Sequence, residues 1–237
     1  MKSTTLCATL AMTGLLLAFA PAAEAQSRRG FYERDGAFRV HLGAFQPEGE
    51  SEYWEEKELD FTGGVDDLEN ASFGIDYLLT LNRRFGLLFS GTGYSGDTTQ
   101  SYIDFTDNFG DRIRHDTTLD IASATAGVML HPLGANAAVS PYVGVGGGAY
   151  FWNLQEEGDF IDFGAGNEIF FAELQDEGVA FGYYLLAGLE APITPRLSLF
   201  AEGRWDQAED ELSDDFEGFG DLDLSSRSYR FGVSFNL

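Results

Sequence analysis

From Gly36 to the last residue, apolar and polar side chains alternate with a period of two, and helical spacing is hard to find. The first run puts Phe38, Val40, Leu42 and Ala44 on one face and Arg39, His41, Gly43 and Phe45 on the other. A second covers about 72–81, where Phe73, Ile75, Tyr77, Leu79 and Leu81 alternate with Gly74, Asp76 and Thr80. Six more follow at roughly 85–94, 118–130, 139–152, 179–191, 197–205 and 226–237. Each of the eight predicted strands is about as long as a tilted strand must be to cross a bilayer.

The connections alternate in length. Short turns fall near 82–84, 131–138 and 192–196, and long loops near 46–71, 95–117, 153–178 and 206–225. A meander with turns at one end and long loops at the other has the layout of an outer-membrane barrel. The first and third loops are also compatible with hairpins that continue the strands, Ile169-Phe170-Phe171 being best suited to that. Ten strands would require two more strands from the acidic loops. The loops hold 32 of the 39 carboxylates, and only Asp76, Asp120, Glu190 and Glu202 fall inside the predicted strands. A soluble β-sandwich, or an exported lipocalin-like binder, would keep a polar outer face on its strands; here one face is stripped of charge, as lipid demands.

The last strand is the most specific single feature. Tyr229, Phe231, Val233, Phe235 and Leu237 alternate with Arg230, Gly232, Ser234 and Asn236 up to the terminal residue. At an open sheet edge such a strand would invite aggregation, whereas barrel closure removes the edge. It resembles the C-terminal signal by which the outer-membrane assembly machinery recognises its clients. SPYVGVGGGAYFW (140–152), FGYYLLAGLEAP (181–192) and LSLFAEGRW (197–205) resemble strands five to seven of the small OmpX/OmpA-like porin-family barrels. RVHLGAFQPEGES (39–51) is similar to the first strand and loop entry of that group, and the OmpW barrels are relatives. The resemblance implies an all-β, eight-stranded antiparallel up-and-down transmembrane β-barrel over residues 38–237, with both termini periplasmic.

Before the strands, Met1 and Lys2 precede an apolar run from Leu6 to Ala20 and an Ala23-Glu24-Ala25 cleavage pattern. This predicts a signal peptide over residues 1–25, cut before Gln26, and a short N-terminal extension over 26–37. Cys7, the sole cysteine, would leave with the signal, so the mature chain would have no disulfide and no thiolate site. The expected location is the outer membrane of a Gram-negative-type bacterium, after Sec-type export. A formal charge of −25 excludes nucleic acid and anionic lipid surfaces as ready partners.

Strand parity selects the candidate chemistry. If Leu197, Leu199, Ala201 and Trp205 face lipid, then Ser198, Glu202, Arg204 and Asp206 point inward. The same parity puts Arg39, His41, Asp76, Glu190 and Arg230 in the lumen, as a charge network that is either a structural plug or a gate. An eight-stranded barrel has a bore that side chains can fill. Tyr94, Trp152, Trp205, Tyr142 and Phe235, with Phe38 and Phe85, are expected at strand ends as two aromatic girdles.

Other chemistry finds little support. Of the three histidines, only His115 in His115-Asp116-Thr117-Thr118 lies beside a carboxylate and a hydroxyl, and the His-x-Ser pair of lipid A deacylase barrels fails at Thr117. No catalytic residue and no cofactor is expected. Gly144, Gly146, Gly147 and Gly148 have no following helix or Lys-Ser/Thr, so they read as small strand positions and not as a nucleotide loop. Glu55-Glu56, Asp214-Asp215 and Asp221-x-Asp223 offer oxygen ligands without a calcium-loop pattern, which predicts diffuse attraction of divalent cations and no dedicated metal site. The functional expectation is a structural or surface-interaction barrel with an extracellular partner at its four acidic loops. The alternative is a narrow channel for small or hydrophobic solutes.

Overall fold

The computed structural model describes residues 35–135, 137–164 and 166–237. The predicted signal peptide and most of the predicted extension lie outside the described residues. Strand β1 (Gly36–Pro47) is followed by helix α1 (Glu52–Asp60), the short β2 (Phe61–Thr62) and a 3-10 turn over Val65–Leu68. Then come β3 (Asn70–Thr80), β4 (Phe85–Thr106), β5 (Arg112–Leu130), β6 (Ser140–Asp162) and β7 (Glu168–Thr194). The chain ends with β8 (Leu197–Gln207), β9 (Glu209–Glu211), a 3-10 turn over Asp214–Phe216, β10 (Asp221–Asp223) and β11 (Ser226–Asn236).

Eight of these strands form a closed antiparallel ring in the order β1, β3, β4, β5, β6, β7, β8, β11 and back to β1. The ring closes where β11 pairs with β1, Phe235 opposite Phe38 and Val233 opposite Val40. Closure draws Gly36 and Ala37, the last two residues of the predicted extension, into β1; Ala37 pairs with both Leu78 and Asn236. The terminal strand therefore has no free edge.

Alternation gives each strand an outside and an inside. Phe38, Val40, Leu42, Phe73, Ile75, Val143, Val145, Leu185 and Phe231 are exposed on the outer surface. Such an apolar belt suits lipid. Higher up, at the loop end, the outer face turns polar: Ser95 and Asp97 on β4, Asp116 and Thr118 on β5, Glu157 on β6, Gln175 and Glu177 on β7.

Two expected long loops are mostly strand. The β4–β5 pairing continues to Ser101 opposite Arg114, and β6–β7 to Asp162 opposite Glu168, so two hairpins rise well above the belt. Outside the lipid both strand faces meet water or protein, the apolar–polar contrast fades, and alternation ceases to mark the strand. The segment Ile169-Phe170-Phe171 belongs to β7. The first loop instead folds α1 across the barrel mouth, and the fourth forms the small β9–β10 ribbon.

Candidate functional site

The barrel interior is filled in layers. At the turn end Ala37, Leu78, Leu88, Met129, Tyr142, Tyr184 and Leu186 form an apolar floor. Above it lie the charges. Arg39 on β1 stands opposite Asp76 on β3, and Glu202 on β8 opposite Arg230 on β11, so strand register alone brings them together. Arg39 Nη2 donates to Glu202 Oε2 at 3.0 Å and to Tyr142 Oη at 2.8 Å, and Arg39 Nη1 lies 3.6 Å from Asp76. Tyr142 Oη in turn donates to Glu202 Oε2 at 2.8 Å.

Arg230 Nη1 lies 3.7 Å from the other Glu202 oxygen, and Arg230 Nε donates to Ser228 at 3.1 Å. Asp76 accepts from Ser90 Oγ at 2.5 Å and has His41 Nε2 at 3.5 Å. A second knot joins Arg204 to both oxygens of Asp206 at 2.9 and 3.0 Å, with Tyr150 Oη donating to Asp206 at 2.7 Å. The guanidinium of Arg39 covers the Phe200 ring at 3.6 Å, and that of Arg204 covers Tyr184 at 3.8 Å. Glu190 is buried in the same interior. Three guanidiniums thus face four carboxylates away from water, where charges must be paired and hydrogen-bonded.

The proposed girdle divides. Trp205 and Phe235 are exposed on the outer surface, whereas Tyr94, Trp152 and Tyr142 are buried inside. This corrects the expectation for those three, and parity gives the reason. In β6, Tyr142, Gly144, Gly146, Gly148, Tyr150 and Trp152 share one face, and Val143, Val145 and Phe151 hold the lipid side. Space comes from glycine: Tyr142 stands opposite Gly188 and Trp152 opposite Gly178, and a Cβ on either glycine would fall within 2.7 Å of the ring. Tyr94 stacks on Phe45 at 4.0 Å, and its hydroxyl donates to the Leu68 carbonyl.

Over the charged layers lies a large apolar cluster that includes Phe45, Tyr53, Trp54, Leu68, Tyr94, Leu119, Trp152, Leu154, Phe216 and Leu222. Helix α1 inserts Tyr53 and Trp54 into it; both are buried. The cavity between this cluster and Arg230 measures ≈ 10 Å³, room for about one water molecule. Trp152 Nε1 donates to Asp210 at 2.7 Å, which ties the fourth loop to the rim.

Sequence reasoning missed the polar latch under α1. Lys57 Nζ lies 2.5 Å from Glu156 on β6, and the Tyr53 hydroxyl donates to the same carboxylate oxygen. Lys57 Nζ is also 3.3 Å from His115 Nε2, which lies 3.2 Å from Gln100 Oε1. Thr117 donates to that Gln100 oxygen at 3.0 Å, so the hydroxyl considered for catalysis serves the latch. Burial and the neighbouring ammonium of Lys57 push the His115 imidazole down to about 4. Burial also lowers Lys57, against the pull of Glu156, and raises Tyr53 well above its ordinary value. Among the described residues, no three His, Cys, Asp or Glu side chains converge to hold a metal ion.

No family model and no curated protein matches the sequence. Solved structures match the backbone. OprG, an outer membrane protein of Pseudomonas aeruginosa, aligns over 86% of this chain and 97% of its own at 12% identity, with a TM-score of 0.51. A major outer membrane protein from Thermus thermophilus aligns over 85% of this chain and 99% of its own (12% identity, TM-score 0.48). Neisserial surface protein A aligns over 86% of this chain and 97% of its own (13% identity, TM-score 0.47). The chain has the fold of the small outer-membrane β-barrels. Fold and apolar belt together put this small barrel in an outer membrane, with its turns at one surface and α1 and the tall hairpins at the other.

Proposed function

We propose that this outer-membrane barrel acts as a surface-contact protein, working through the loop end that it presents outside the cell, and not as a channel. The observation that carries the reading is the closed interior: paired charges at membrane level, and a second closure where α1 and its aromatics fill the mouth. Among the described residues, buried ion pairs and aromatic side chains occupy the interior between the floor of Tyr142 and Leu186 and the cap of Trp54 and Leu68. The reading gives the chain no catalytic role, since His115 and Thr117 are buried in the α1 latch.

In this reading the acidic outer region attracts divalent cations diffusely. The terminal strand β11 serves the assembly machinery before it closes the ring. The test is solute uptake by liposomes carrying refolded protein, with heat-shifted gel mobility to verify closure. Swelling rates in small sugars and amino acids should equal those of empty liposomes. Uptake proportional to the amount of protein would overturn the reading in favour of a narrow channel.

A further inference from the structure

The two tall hairpins carry apolar side chains where no lipid reaches. Phe163 lies eleven residues beyond Trp152, roughly 35 Å along the chain from the level where the outer face turns polar. There Phe109 is 92% exposed, Phe171 61% and Phe163 58%, and Ile103, Ile169 and Phe170 on the same two hairpins are exposed as well. The tips meet where Phe105 on β4 approaches Phe163 at 5.4 Å, and within the β6–β7 hairpin Phe160 meets Phe170 at 6.3 Å. Lower down the same walls are secured from within, where Tyr102, Ile113 and Ile161 pack together. The exposed side chains are therefore not a collapsed core but the outer surface of an ordered platform. Water-facing apolar patches of this kind mark interaction sites.

The charge around the patch narrows the partner. Asp104, Asp111, Asp159, Asp162, Glu168 and Glu173 are all exposed on the two hairpins, against Arg112 and Arg114. With a whole-chain charge of −25, a second copy would meet its own field. Electrostatic complementarity selects the opposite sign.

We propose that the crown formed by the β4–β5 and β6–β7 tips binds a basic amphipathic polypeptide, its apolar side chains on Phe163, Phe171 and Phe109 and its cations on the surrounding carboxylates. The proposal rests on the contact reading above and names that contact's partner chemistry.

The test uses the refolded full chain in nanodiscs of zwitterionic phospholipid, with empty discs subtracted. Three synthetic peptides are titrated: alternating Lys and Leu, alternating Glu and Leu, and alternating Lys and Ser. The Lys/Leu peptide should bind saturably and at least about tenfold more tightly than either control, a difference of about 1.4 kcal/mol. The combined Phe109→Ser, Phe163→Ser and Phe171→Ser variant should lose that preference while keeping its heat-shifted mobility, since all three side chains are exposed. Asp159→Asn with Asp162→Asn should weaken binding and flatten its salt dependence.

Equal binding of the Lys/Ser peptide would reduce the surface to charge alone and overturn the proposal, as would a triple-serine variant that binds undiminished. Pairing of discs that disappears in the same variant would assign the crown to a second copy instead. The contact reading fails separately: it falls if the liposomes take up solute, and it stands if they stay sealed while the peptides do not bind.

Discussion

The ion pairs in the middle of the barrel and those beneath α1 use the same chemistry in different mechanical settings. Arg39, Asp76, Glu202 and Arg230 sit on four strands of one closed ring, so no member can leave without opening strand pairs. Lys57 sits on a nine-residue helix held by loops and meets Glu156 on a strand that stays paired on both sides. The first set therefore belongs to the global folding unit. The second belongs to a segment that can open while the ring persists.

The sharpest way to break the comparison is to remove the central carboxylate of each set. Glu202→Ala takes from Arg39 and Arg230 the carboxylate they share, leaving Arg39 with Asp76 alone, and should cost about 3–5 kcal/mol, seen as a lower urea midpoint for loss of the heat-shifted form. Glu156→Ala should leave that midpoint nearly unchanged. It should instead speed tryptic cleavage after Lys57 by on the order of a hundredfold, because the cleaved bond becomes accessible only when the cap opens. If both variants shift the midpoint equally, the cap is part of the global unit.

Acid should separate the two sets further. His115 titrates near 4 in the closed cap and near 6.5 once the segment is open, so the open form binds more protons between those values. Cap stability is therefore complete above about pH 6.5 and falls as pH drops toward 4, by about 2 kcal/mol between pH 7 and pH 5. The protonated imidazole would face the Lys57 ammonium at 3.3 Å. Tryptic nicking at pH 5, corrected for the enzyme's own pH profile, should be faster than at pH 7, and His115→Asn should flatten the difference. The smallest effect is expected at the exposed Arg227–Glu48 pair, 2.5 Å apart on the rim: Arg227→Ala should change the urea midpoint by less than about 1 kcal/mol.

What could be read in the sequence follows the position of the lipid. At membrane level one face must be apolar, so parity exposes the other, and Arg39, Asp76, Glu190, Glu202, Arg204 and Arg230 stand out as inward charges from their spacing alone. The same parity in β6 was enough to turn Tyr142 and Trp152 inward, because Val143, Val145 and Phe151 occupy the lipid side. Placing them by strand end alone gave the wrong face. Gly188 and Gly178 were the supporting sign, but the register that sets them opposite those rings is not written in either strand alone.

Above the lipid the rule stops applying. The β4–β5 and β6–β7 extensions bear polar residues on their outer faces just above the belt and exposed apolar ones toward their tips, and α1 reads as a charged stretch in which only the adjacent Tyr53 and Trp54 hint at a buried side. The latch joins Gln100 and His115, paired across the β4–β5 hairpin, to Glu156 on β6 and Lys57 on α1, and nothing local in any of these segments announces the others.

The claim that the barrel is closed twice is tested most directly by planar-bilayer conductance of two refolded chains, the wild type and one with residues 50–68 replaced by a short Gly-Ser turn. Both should stay silent under voltage, because the Arg39–Glu202 and Arg204–Asp206 pairs close the lumen without help from α1. Discrete conductance steps from the wild type would contradict the account outright. Steps from the trimmed chain alone would show that the cap is the only seal and that the charged layer beneath it conducts.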